Sequence, residues 1–165
     1  WAPRLEPGDL VVVVGAAALA EALFLAAHDA QVFLVDQDLG AVEAAEGRAV
    51  TEQLAGVLQA LVISFGSWFP DLSPSLVVLE PRSLADLRAK DRAALIADLQ
   101  ARTRSGGVHV VLSGGGSREV IPLAPEALQA LYGGWQLQRS RRSKRSGFTA
   151  TKPPRQLDTA SNVSE

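Results

Sequence analysis

The chain has 165 residues, 47% of them hydrophobic and 21% charged, with a formal net charge of −2. That size suits one domain with a real core, and that charge forecasts no general attraction to nucleic acid or acidic membranes. The absence of cysteine excludes disulfides, thiolate nucleophiles and cysteine-ligated metals, and two histidines, His28 and His109, are too few for a histidine metal cluster.

The opening "WAPRLEPGD" shows no charged-then-apolar leader, so no signal peptide is read. A location in the cytoplasm, or at the periphery of a larger complex, is expected. From Leu10 to Ala27 every residue is apolar or glycine except Glu21. A membrane span there would bury that carboxylate near mid-bilayer, at a cost of about 3 kcal/mol. The segment also changes at Gly15 from β-branched valines to alanine and leucine, which points to a strand followed by a helix and to no transmembrane segment.

The run "LVVVV" at 10–14 predicts a parallel strand covered on both faces, and Gly15 permits a tight turn after it. Ala16 to His28 reads as a helix and "QVFLVD" at 31–36 as a second strand, giving β-α-β with short links. A second helix is predicted over 39–60, a third strand over 61–65 and a fourth over 75–80. The next helix is predicted over 83–103, with Ser83 and Asp86 spaced as a capping box and Leu84, Leu87, Ala94, Leu95 and Leu99 as its buried stripe. "VHVVL" at 108–112 is a fifth strand and "PEALQAL" from Pro125 a short helix with proline in its first turn. "GWQLQRSRR" and "GFTATKP" read as an antiparallel pair joined by a basic turn.

This alternation predicts an α/β fold: a three-layer, doubly wound, Rossmann-like sheet, mostly parallel, with a C-terminal antiparallel hairpin. The domain is expected over 1–152, and the polar, proline-led 153–165 is expected to be a flexible tail. Ligands of such sheets bind beyond the carboxyl ends of the strands, where strand order reverses, so the loop after Val14 is the first place to look.

Against the dinucleotide pattern G-x-G-x-x-G/A, that loop offers Gly15, Ala17 and Ala20, with Asp36 placed as a ribose-binding acid at the end of the second strand. A nicotinamide dinucleotide-binding module is therefore one reading, with Ala17 adding a methyl group where the pyrophosphate presses closest. The chain as a whole resembles another family more closely. "LEPGDLVVVVG", "VFLVDQD", "ARTRSGGVHVVL" and the terminal "LYGGWQLQRSRRSKRSGFTATKP" are similar to the lead-in, second strand, fifth-strand passage and final hairpin of class I S-adenosylmethionine-dependent methyltransferases. The resemblance implies S-adenosylmethionine as cofactor. Gly15 and Ala17 would lie in the cofactor loop and Asp36 would take the ribose hydroxyls, while Gly66 and Trp68, within "FGSWFPD", would lie near the adenine.

The first motif departs from the family's pattern. Val13 and Val14 stand where an acid is usual on the first strand, and the loop's later glycines are replaced by Ala17 and Leu19. Leu19 is expected to reach into space the cofactor would use. Two functions follow: a methyltransferase-like domain with a degraded cofactor loop, or a non-catalytic relative of that fold acting as a binding or scaffold subunit of an assembly.

Other residues carry weaker signals. Asp36 and Asp38 are both placed to cap the helix beginning near Leu39. Glu80, at the carboxyl end of the fourth strand, reads either as a substrate-side residue or as a solvated strand end, the second favoured, and Trp68, Phe69 and Asp71 as a loop able either to stack on a base or to cover the sheet edge. His28 is expected at a helix carboxyl end and His109 within a strand. Arg139, Arg141, Arg142, Lys144 and Arg145 form the one local charge anomaly: a docking site for a protein partner or anionic surface, or an exposed turn kept soluble by its charge.

Overall fold

The computed structural model describes residues 5–112, 123, 125–139 and 147–155. Seven strands form one sheet: β1 (Leu10–Val14), β2 (Gln31–Asp36), β3 (Leu58–Val62), β4 (Leu76–Leu79), β5 (Val108–Val111), β6 (Gln136–Arg139) and β7 (Phe148–Thr151). Their order is β3-β2-β1-β4-β5-β7-β6, parallel through β5 and antiparallel at β7 and β6. The expected doubly wound sheet with its terminal hairpin is thus present. Among the described residues four α-helices accompany it: α1 (Leu19–Ala27), α2 (Leu39–Thr51), α3 (Ala89–Arg102) and α4 (Pro125–Gln129).

The valine run explains the layering. Side chains alternate across a strand, so Val11 and Val13 enter one core with the apolar faces of α1 and α2, whereas Val12 and Val14 enter the other with α3 and α4. All four valines are fully buried, as a central parallel strand requires. No helix among the described residues is long and apolar enough to cross a membrane, because the apolar segment from Leu10 breaks at Gly15 into β1 and α1.

Three element boundaries differ from expectation. The second helix ends at Thr51 rather than running to residue 60, because Gln53 turns into the left-handed region at φ 59°. Leu58–Val62 then forms the strand, with Leu58 and Ala60 buried and Gln59 outward. The predicted 83–103 helix is split: Pro81–Leu84 is a 3-10 turn, and α3 starts only at Ala89. Glu80 caps that turn and proline occupies its first position, so Ser83 is not a helix cap. Within α3 the buried stripe is Leu95, Ile96 and Leu99, while Ala94 faces solvent.

Candidate functional site

Strand order reverses between β1 and β4, because β2 and β3 extend the sheet to one side of β1 and β4 onward to the other. The loops that leave these two strands define the crevice where a ligand of this fold would sit.

The first loop is stitched to β2. Gly15 donates its N–H to the Val35 carbonyl at 2.8 Å, and Ala16 donates to Asp36 Oδ2 at 2.8 Å. Ala18 donates to the Gly15 carbonyl at 3.0 Å, closing a 3-10 turn over Ala16–Ala18. Gly15 has φ 104° and ψ 126°, a conformation essentially closed to residues with a Cβ. Ala17 is exposed, and Ala18 is fully buried.

Asp36 lies where the sequence put it, at the end of β2, and its carboxylate is engaged on both oxygens. Oδ2 holds the Ala16 N–H and Oδ1 the Asp38 N–H at 3.0 Å. Asp38, not Asp36, caps α2, accepting from the N–H groups of Gly40 at 2.8 Å and Ala41 at 3.3 Å. Asp36 is therefore a clamp between the first loop and the turn into α2. Asp36→Ala is expected to lower stability by about 1–2 kcal/mol in the absence of any ligand, since charge-assisted bonds to two backbone amides are lost. Urea unfolding of the two proteins without additives measures that difference.

The second loop closes over the first. Glu80 ends β4, buried to 3% exposure, and its Oε1 accepts from the Arg82 N–H at 3.2 Å and from Arg82 Nε at 3.1 Å. This overturns the expectation of a solvated strand end. Pro81 and Leu84 are buried beside it, so the turn is anchored at both ends. The anchored turn brings Ser83 against Gly15: a Cβ placed on Gly15 would fall on Ser83 Oγ and lie 2.6 Å from Ser83 Cβ and 3.4 Å from Glu80 Cβ. The space facing the glycine is thus filled by the chain itself. Leu19, expected to be the obstructing side chain, instead begins α1 and packs half-buried onto the core beneath α1 and α2. Local spacing placed Ser83 at a helix cap, and the contact that matters spans 68 residues of sequence.

The loop after β3 is also tied down. Phe65 donates its N–H to Gln37 Oε1 at 3.0 Å, and Phe65 and Phe69 are buried in the core under α3. Gly66, at φ 84°, lies against Asp91 at the start of α3, where an added Cβ would come within 3.1 Å. Trp68 is 63% exposed. Of the tryptophan, phenylalanine and aspartate singled out in this loop, Phe69 covers the core under the Arg102 guanidinium, 5.8 Å from its ring centre, while Asp71 pairs with Arg102 at 3.4 Å. Of the basic residues at 139–145, Arg139 is exposed and donates to Gln129 Oε1 at 3.3 Å; Arg141, Arg142, Lys144 and Arg145 lie outside the described residues.

His28 caps the carboxyl end of α1 as expected, its Nδ1 donating to the Phe24 carbonyl at 2.7 Å. His109 forms a polar centre that sequence reasoning missed. Thr103 Oγ1 donates to the Leu99 carbonyl at 2.6 Å, so it accepts from His109 Nε2 at 2.7 Å; His109 Nδ1 then accepts from the Tyr132 hydroxyl at 2.8 Å. The chain of bonds is complete only with a neutral imidazole protonated on Nε2. Burial, with the nearby Lys152 ammonium, lowers the His109 pKa to about 3, and burial raises that of Tyr132. Trp135 and Phe148 pack on the same cluster, which ties the terminal hairpin to α3. Among the described residues no group of acids and histidines could hold a metal.

No family model and no curated protein sequence matches the chain. Solved structures do match. The glycopeptide N-methyltransferase MtfA in complex with S-adenosyl-L-methionine is similar at a TM-score of 0.69 and 14% identity, over 92% of this chain and 90% of that one. A TehB-like SAM-dependent methyltransferase from Corynebacterium glutamicum matches at 0.66 and 15% identity, over 93% and 82% of the two chains. A SAM-dependent methyltransferase from Methanosarcina mazei matches at 0.65 and 17% identity, over 91% and 95%. Likeness at such low identity is a likeness of fold, and the fold of this chain is the Rossmann-like fold of SAM-dependent methyltransferases.

Proposed function

We propose that this chain is a methyltransferase-fold domain that does not transfer methyl groups and serves as a binding or scaffold subunit. The observation that carries the reading is Ser83 seated on Gly15 in the β1–β4 crevice. S-adenosylmethionine needs room for its amino-acid end against that glycine and a charged partner for its ammonium. Neither need is met by the residues present. Val13 and Val14 are buried in the core, and the one acid at the end of β4, Glu80, is bound to Arg82. At the ribose end both Asp36 oxygens already hold backbone amides. The same geometry argues against a nicotinamide dinucleotide, whose pyrophosphate would need loop N–H groups that Gly15, Ala16 and Ala18 spend within the protein.

The catalytic reading draws its support from the position of Asp36 and from the fold of the solved relatives. Calorimetric titration with S-adenosylmethionine and S-adenosylhomocysteine separates the two. The scaffold reading expects affinity no tighter than about 1 mM, near −4 kcal/mol. Micromolar binding of either compound would overturn the scaffold reading and favour the enzyme.

A further inference from the structure

We propose that this chain associates head to tail with a second copy of itself, the acidic α2–β3 end of one molecule seating on the β6 end of the next. Charge is divided along the chain. Residues 5–80 carry eleven carboxylates against one base, Arg48, a formal net charge of −10, whereas residues 81–165 carry seven carboxylates against fourteen bases, a net charge of +7. The negative half supplies β1, β2, β3, β4, α1 and α2, with α2 and β3 at one edge of the sheet; of the positive half, β6 with Arg139 lies at the opposite edge, with β7 next to it. The two ends sit at opposite edges of one sheet, so they meet only between molecules.

Each end also carries exposed apolar surface and an open strand edge. On α2, Leu39, Glu43, Glu46 and Val50 follow at intervals of four, three and four and so share a helix face, with Leu39 59% and Val50 66% exposed. No ion pair engages Glu43 or Glu46 among the described residues. Val62, on the neighbouring edge strand, is exposed as well. At the other end, every residue of β6 is exposed, and Leu137 and Arg139, two apart, share one face of it. Among the described residues β3 pairs only with β2, and β6 only with β7. Apolar residues beside glutamates at one end thus complement an apolar residue beside a cation at the other, and a contact between unlike ends is heterologous and self-propagating. This proposal is independent of what the β1–β4 crevice holds.

Sedimentation velocity on the full chain tests it. At about 50 mM salt the average mass is expected to rise with protein concentration, and at about 500 mM salt to fall toward the monomer. Glu43→Lys with Glu46→Lys removes one end; Leu137→Gln with Arg139→Gln removes the other. Each double variant alone is expected to associate at least tenfold more weakly than the parent. An equimolar mixture of the two is expected to form a one-to-one dimer and nothing larger, because one intact end remains on each partner. Circular dichroism melting checks that both variants are folded, and these exposed substitutions are expected to leave the melt cooperative. The proposal is overturned if the parent stays monomeric up to about 0.5 mM at low salt. It is equally overturned if either variant alone associates like the parent, or if the mixture forms no dimer.

Discussion

Gly15→Ala is expected to destabilise the fold by about 3 kcal/mol or more, even though it adds a single methyl group. Two costs act together. The backbone at φ 104° and ψ 126° is one that only glycine adopts readily, worth about 1–3 kcal/mol of strain for any other residue. The new Cβ would also collide with Ser83, whose turn is fixed by buried Pro81, Glu80 and Leu84; overpacking of this kind costs about 1–3 kcal/mol. For a domain of this size the melting temperature should fall by roughly 10 °C. A double-mutant cycle with Ser83→Gly separates the costs: the strain remains and the collision goes, so Gly15→Ala should cost about half as much in that background. Equal costs in both backgrounds would mean that Ser83 does not occupy the space facing the glycine.

Acid is expected to weaken the protein through His109. Its folded pKa is lowered to about 3 by burial and by Lys152, against 6.5 for an unperturbed histidine. Below pH 6.5 the unfolded chain binds a proton that the folded chain refuses. The contribution of this residue to stability is therefore whole above pH 6.5, falls by about 1.4 kcal/mol per pH unit below it, and levels off near pH 3. Between pH 7.5 and 4.5 the loss should be about 3 kcal/mol. In His109→Gln, whose amide can still accept from Tyr132 and donate to Thr103, that part of the pH dependence should vanish, although stability at neutral pH is lower. Urea unfolding at the two pH values gives the comparison. A pH dependence unchanged by the substitution would show that His109 is not the group being titrated.

The parts of the fold that were legible in the sequence are those governed by local rules. Val11 to Val14 announced a strand buried on both faces, and the 21-residue interval from Gly15 to Asp36 placed an acid at the end of β2. The boundary between α2 and β3 was less legible, because "LAGVLQA" is apolar enough for either element and the left-handed turn at Gln53 decides it. Ser83 was misread for a related reason. Its spacing to Asp86 imitates a capping box, and Pro81 with Glu80 builds a tighter turn one element earlier.

Function was harder to read because the decisive contacts are distant in sequence. Asp36 looks the same in a sequence whether its oxygens face a ribose or an alanine amide, and the amide is found 20 residues away. Ser83 is a serine like any other until the sheet places it over Gly15. His109, a lone histidine in a strand, draws its partners from Thr103 and Tyr132, 6 and 23 residues away. The residue set against Gly15 comes from the turn after β4 rather than from the first loop itself.

If the chain's own residues close the crevice between β1 and β4, as proposed, the backbone amides of Gly15, Ala16 and Ser83 report on it directly. In nitrogen–proton correlation spectra these amides are expected to show no saturating shift as S-adenosylhomocysteine is raised to about 1 mM, because binding no tighter than that is worth at most about 4 kcal/mol. Saturating shifts at those three amides with a micromolar midpoint would contradict the account.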